Sequence, residues 1–84
     1  MSGPPVKRSL TLKGHRTSVS LEDPFWHQFC RIAREEGRAI NDLAAEIDAG
    51  RDPDTGLASA IRLHVLAAYR DRAGRATGTD GTRG

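Results

Sequence analysis

The sequence predicts a mainly α protein with a short β-ribbon at its N-terminal end, and three observations predict it. Apolar residues alternate with polar ones over residues 8–12 and again over 16–21, the two-residue period of a half-buried strand. From residue 23 onward they recur at spacings of three and four, the period of helices packed along one side. The third observation is scarcity. Of 84 residues only 16 are Leu, Ile, Val or Phe, and all of these lie between Val6 and Leu66. A core that small is usually completed by disulfides, metal or association. Cys30 is the lone cysteine, which excludes an internal disulfide, so association with a second copy is the expected route.

The ribbon comes first in the chain. Ser2, Gly3, Pro4 and Pro5 cannot continue a strand or a helix, so residues 1–6 are expected to be disordered. Leu10 and Leu12 then share one side of an extended segment, with Ser9, Thr11 and Lys13 on the other. Past Gly14 and His15 the parity reverses: Thr17, Val19 and Leu21 are apolar-side residues, and Arg16, Ser18 and Ser20 share the polar side. A regular strand cannot change faces, so Gly14-His15 is a bulge or a turn. As a type II′ turn with Gly14 in first place it pairs Leu12 with Thr17, Thr11 with Ser18 and Leu10 with Val19. That register sets Lys13 opposite Arg16, an unfavourable like-charge pair. A kinked continuous strand is the other solution. The residues leave both open. The short strand over residues 17–21 needs a partner in any case, and the simplest is the same strand of a second copy.

Helical signals follow at once. Glu22, Asp23 and Pro24 suit a first helical turn. Trp26, Phe29, Cys30 and Ala33, widened by Phe25 and Ile32, give a helix over residues 23–36 that stops at Gly37. Ile40, Leu43, Ala44 and Ile47 give a second over 40–49, and a breaker-rich loop fills 50–56. The third helix, over 57–72, is apolar on one face through Leu57, Ile61, Val65 and Ala68, and on another through Leu63, Leu66 and Tyr69. A helix apolar on two faces is buried on two faces, and the second is expected to meet another subunit. Residues 73–84 hold no core-forming residue and are expected to be a flexible tail, leaving a domain of residues 7–72.

The formal net charge of +2 conceals a division. Residues 1–21 carry +4 with no acid, residues 22–56 carry −5, and the remainder carries +3. A basic arm on an acidic body is a polarised molecule. Catalytic groups are few. His27 and Cys30 stand three apart, with His64 as a distant third, but recognised zinc spacings are absent and Cys30 falls inside an apolar stripe, where a lone Cys is normally a small core residue. No metal or cofactor is expected. Ser18 and Ser20 match no nucleophile motif, no glycine-rich phosphate loop precedes a helix, and Glu35 and Glu36 read as solvating residues, so no enzyme is expected. No apolar run resembles a signal peptide or approaches a membrane span. A cytoplasmic location is expected.

The run Lys7-Arg8-Ser9-Leu10-Thr11-Leu12, with Gly14-His15-Arg16-Thr17-Ser18-Val19-Ser20-Leu21-Glu22 and Phe25-Trp26, resembles the ribbon-helix-helix DNA-binding fold of bacterial repressors, most closely its short single-domain members. The resemblance covers about residues 7–69. It implies an intertwined homodimer, or higher oligomer, here with an additional helix. In that family strands of two subunits form an antiparallel ribbon that enters the major groove of double-stranded DNA, whose base edges carry a distinguishable code. By matching position the base-reading residues are Arg16, Ser18 and Ser20. Lys7, Arg8, Thr11 and Lys13 lie on the arm and are expected at phosphates or the groove edge. Where the family holds a phosphate on free amides after the glycine turn, this chain has Ala39, Ile40 and Asn41. The segment Gly56-Leu57-Ala58-Ser59-Ala60-Ile61-Arg62 resembles that helix start equally well, so which later helix matches the family's second stays open. The expected function is sequence-specific DNA binding in bacterial transcription regulation. The alternative is a protein-interaction module such as an antitoxin-like partner, although the tail lacks the apolar anchors such a partner uses.

Overall fold

The computed structural model describes residues 3–81, with side chains described from Gly3 to Ala73. A β-hairpin leads into three helices: β1 (Val6–Leu12), β2 (His15–Leu21), α1 (Asp23–Glu35), α2 (Ile40–Gly50) and α3 (Leu57–Gly81). The strands pair antiparallel, so β2 finds its partner within the same chain.

The turn is Lys13-Gly14, not Gly14-His15. Leu12 pairs with His15, Leu10 with Thr17 and Arg8 with Val19. Both central residues have positive φ, 51° at Lys13 and 83° at Gly14. That is the type I′ turn, whose twist matches the flanking strands, with Gly in second place. The expected register is therefore shifted by two residues. The shift removes the Lys13–Arg16 opposition, and because side chains alternate with period two it leaves every residue on the face the sequence assigned.

β1 begins at Val6, inside the segment expected to be disordered, because Val6 has a partner in Leu21. Residues 1–2 and 82–84 lie outside the described residues. α1 closes on a glycine signal: Gly37 takes φ 67°, its N–H donates to the Arg34 carbonyl, and the Arg38 N–H donates to the Ala33 carbonyl at 2.9 Å. These two hydrogen bonds satisfy carbonyls the helix end would otherwise strand. α3 continues past residue 72 to Gly81. Lack of core-formers limits packing, whereas prolonging a helix needs only the next amide bonded four residues back.

Leu10, Val19 and Leu21 of the hairpin, Phe29, Ile32 and Ala33 of α1, Leu43 and Ala44 of α2, and Ile61 and Val65 of α3 form one buried cluster. Fully burying side chains such as Phe29, Leu21 and Ile61 stabilises the fold by about 1.5–3 kcal/mol each. Trp26 and Cys30, read as central to the α1 stripe, are only half-buried, and Ile32 takes the deeper place. The second apolar face of α3 stays open in one copy: Leu63, Leu66 and Tyr69 are 60%, 49% and 50% exposed.

Candidate nucleic-acid interface

The hairpin separates its side chains into two populations. Leu10, Val19 and Leu21 turn inward into the core cluster shared with the three helices, with Leu12 and Thr17 half-buried beside them. The pairs Lys7–Ser20, Ser9–Ser18 and Thr11–Arg16 form the other face, and all six residues are exposed. This face contains two cations, four hydroxyls and no acid. Cationic and hydroxyl donors on a two-stranded ribbon suit phosphate oxygens and base edges alike. The structure thus brings Arg16, Ser18 and Ser20 together with Lys7 and Thr11, and adds Ser9, which the sequence reading passed over as an ordinary strand residue. Lys13 is exposed at the tip of the turn.

Arg8 is not brought to this face. It lies opposite Val19 on the inner side, half-buried, where it pairs with Asp23 and holds its guanidinium 5.2 Å from the Trp26 ring. Among the described residues its Nε has no hydrogen-bond partner. Alternation alone puts Arg8 with Leu10 and Leu12, so this placement was available in the sequence. Its positive charge suggested an exposed arm instead.

Two side chains remote in sequence grip the hairpin edges. Thr11 N–H donates to Asn41 Oδ1 at 3.0 Å, so the outer edge of β1 meets the start of α2. On the β2 side Arg62 Nη2 donates to the Ser20 carbonyl at 3.2 Å, while Arg62 Nε and Nη2 donate to the Glu22 carboxylate at 2.9 and 3.3 Å. The Arg62 guanidinium also sits 5.9 Å from the Phe25 ring. Its bond holds the Glu22 carboxyl below the usual carboxylate range. No periodic pattern announces a partnership across forty residues, and neither role was legible beforehand.

Ala39, Ile40 and Asn41 open α2 beside that β1 edge. Ala39 is the N-cap and makes no side-chain cap bond, while its carbonyl accepts from the Asp42 and Leu43 amides. Arg38 lies close by, tied to Glu46 at 2.5 Å and Glu36 at 3.6 Å. Cys30 is half-buried, and burial pushes its thiol up, with Arg34 and Arg8 opposing the shift. Among the described residues no three His, Cys, Asp or Glu side chains gather as a metal-holding group. Among the same residues no helix is long and apolar enough to cross a membrane.

No curated protein matches the chain, and no solved structure does. A family model described as a ribbon-helix-helix domain matches residues 5–69. The match takes in both strands, α1, α2 and the packed half of α3. The chain belongs to the ribbon-helix-helix domain family.

Proposed function

We propose that this protein is a sequence-specific DNA-binding regulator of bacterial transcription, acting as a homodimer joined along β2, with the outer face of the hairpin laid in the major groove. The observation that carries the reading is that face: Lys7, Ser9, Thr11, Arg16, Ser18 and Ser20, all exposed and without an acid among them. The family in general consists of DNA-binding transcription regulators. In this reading Arg16, Ser18 and Ser20 meet base edges, Arg gripping guanine and Ser serving as donor or acceptor. Lys7, Thr11 and Lys13 meet phosphates or the groove edge. The amides of Ala39, Ile40 and Asn41 flank the same rim, where a helix N-terminus favours an anion. Arg8 takes the structural role of fastening β1 to α1. The open α3 face, Leu63, Leu66 and Tyr69, supplies apolar area for the second copy.

That same face supports a second reading, a protein-interaction module, because exposed apolar residues in a row mark a docking surface for any protein. A salt-titrated binding assay on native upstream DNA and on random duplex separates the two. The DNA reading requires tighter binding to a discrete upstream site and a steep loss with salt. Failure to bind any duplex at low salt leaves the interaction module.

A further inference from the structure

The hairpin gives this chain one strand more per copy than a ribbon of single strands uses, and that strand has a definite place. Thr11 sends its N–H away from β2, to Asn41, so the Thr11–Arg16 pair is of the non-hydrogen-bonded kind. Alternation makes Ser9–Ser18 and Lys7–Ser20 pairs of the same kind, consistent with the Ser20 carbonyl turning outward to Arg62. The outer edge of β2 therefore carries the backbone groups of Arg16, Ser18 and Ser20, with the Ser20 carbonyl bonded to Arg62, and these are the same residues whose side chains occupy the polar face. A two-fold axis at Ser18 is the one centre that opposes all three to a second copy. It sets Arg16 against Ser20 of the other copy and so avoids a like-charge pair.

From this register we infer that two copies form a four-stranded sheet in which the β2 strands fill the groove and each β1 is an outer rail contacting the DNA backbone through Lys7, Ser9 and Thr11. The inference rests on the DNA-binding reading above. The width decides it. Three strand spacings place the β1 axes about 14 Å apart, beyond a major groove about 12 Å wide that admits a two-stranded ribbon. The β1 strands thus stand over the groove rims, where phosphates are. Lys7 of one copy and Lys7 of the other fall at diagonal corners, about 20 Å apart from the same spacings and a rise of about 3.4 Å per residue. Ser9 and Thr11 between them are short, which lets the sugar-phosphate chain approach closely enough to reach their hydroxyls. β2 carries sequence information and β1 carries grip.

The test has two arms, both on the full chain. In a Cys30→Ala background, Ser18→Cys and Ser9→Cys are oxidised without DNA. Directly opposed Cα atoms about 5.5 Å apart are within disulfide reach, whereas positions about 14 Å apart are not. Ser18→Cys is expected to cross-link to a dimer and Ser9→Cys to stay uncross-linked. Cross-linking through Ser9 and not Ser18 overturns the strand order. In the second arm, Lys7→Ala is titrated with salt on specific and random duplexes. Loss of two phosphate contacts per dimer is expected to flatten the log–log salt slope by about two, and to weaken both duplexes by the same factor. If the unsubstituted protein binds its site selectively and Lys7→Ala leaves the slope unchanged, the rail fails and the DNA reading stands. If no duplex binds at low salt, both fail, and the cross-links then describe only how the copies join.

Discussion

The turn offers the sharpest single perturbation, because two registers make opposite predictions for one substitution. Lys13 takes φ 51° and Gly14 takes φ 83°. An L-residue with a Cβ held in the left-handed region costs about 1–2 kcal/mol, and Asn recovers part of that through its short polar side chain. Lys13→Asn is therefore expected to stabilise the free protein by about 0.5–1 kcal/mol. In a domain of this size 1 kcal/mol shifts the thermal midpoint by about 4–8 °C, so a rise of about 2–8 °C is expected. Gly14→Ala is expected to cost about 1–2 kcal/mol. Among the described residues a Cβ at Gly14 would meet nothing within 4 Å, so that loss is conformational and not steric. The assay is thermal unfolding at fixed protein and salt concentration without DNA, since dimerisation and ligands both move the midpoint. Gly14→Ala alone does not discriminate, because a Gly14-His15 type II′ turn also gives Gly14 a positive φ. Lys13→Asn does. In that other register Lys13 is a strand residue, and Asn is depleted in strands. A lowered midpoint for Lys13→Asn refutes the Lys13-Gly14 turn and the pairing built on it.

Four further outcomes are expected. Arg16→Ala should spare folding and cost about 1–3 kcal/mol on the best site but much less on random DNA; equal loss on every sequence, seen by competition binding, makes Arg16 a phosphate contact. Unfolding midpoints should rise with protein concentration as Leu63, Leu66 and Tyr69 become covered, and sedimentation showing a folded monomer at micromolar concentration contradicts this. Cys30 should alkylate slowly until denaturant is added, and since its thiol is pushed up in the fold, its contribution is complete below the unfolded thiol range and declines as pH rises through it towards the folded value; a midpoint rising with pH in that window reverses the assignment. The carboxyls of Glu22, held down by Arg62, and Glu35, held down by Arg31 and Arg72, contribute stability above their unfolded range that is lost as pH falls through their folded values. Acid titration of Glu22→Gln should show a smaller loss than the unsubstituted protein.

Alternation and helical spacing made the elements legible, and with them the faces. A hydrophobic pattern specifies which side of a strand is buried, and it specified Val19 and Leu21 inward and Arg16, Ser18 and Ser20 outward correctly. It does not specify pairing in steps of two, because such slips exchange neighbours without exchanging faces. Turn chemistry decides that, and a Lys at positive φ was not an obvious first turn residue. Arg8 follows parity to the inner side of the hairpin, where its charge had suggested an exposed arm. The edge grips of Asn41 and Arg62 were invisible for another reason. Each is a single polar contact between elements far apart in sequence, and such contacts have no period.

The bond from Thr11 to Asn41 has a consequence for how far assembly proceeds. Strand addition is self-repeating: a unit with two open margins recruits at both, and stacking continues into fibres. This hairpin is asymmetric in that respect. α2 packs against β1, and Asn41 has already taken the Thr11 amide on that margin, whereas the margin of β2 keeps the backbone groups of Arg16 and Ser18 for a neighbour. In the proposed pair joined at β2, the margins left outside are those that α2 packs against. For the proposed pair this predicts that growth ends at two copies, so that a small protein with an open strand margin stays a discrete particle.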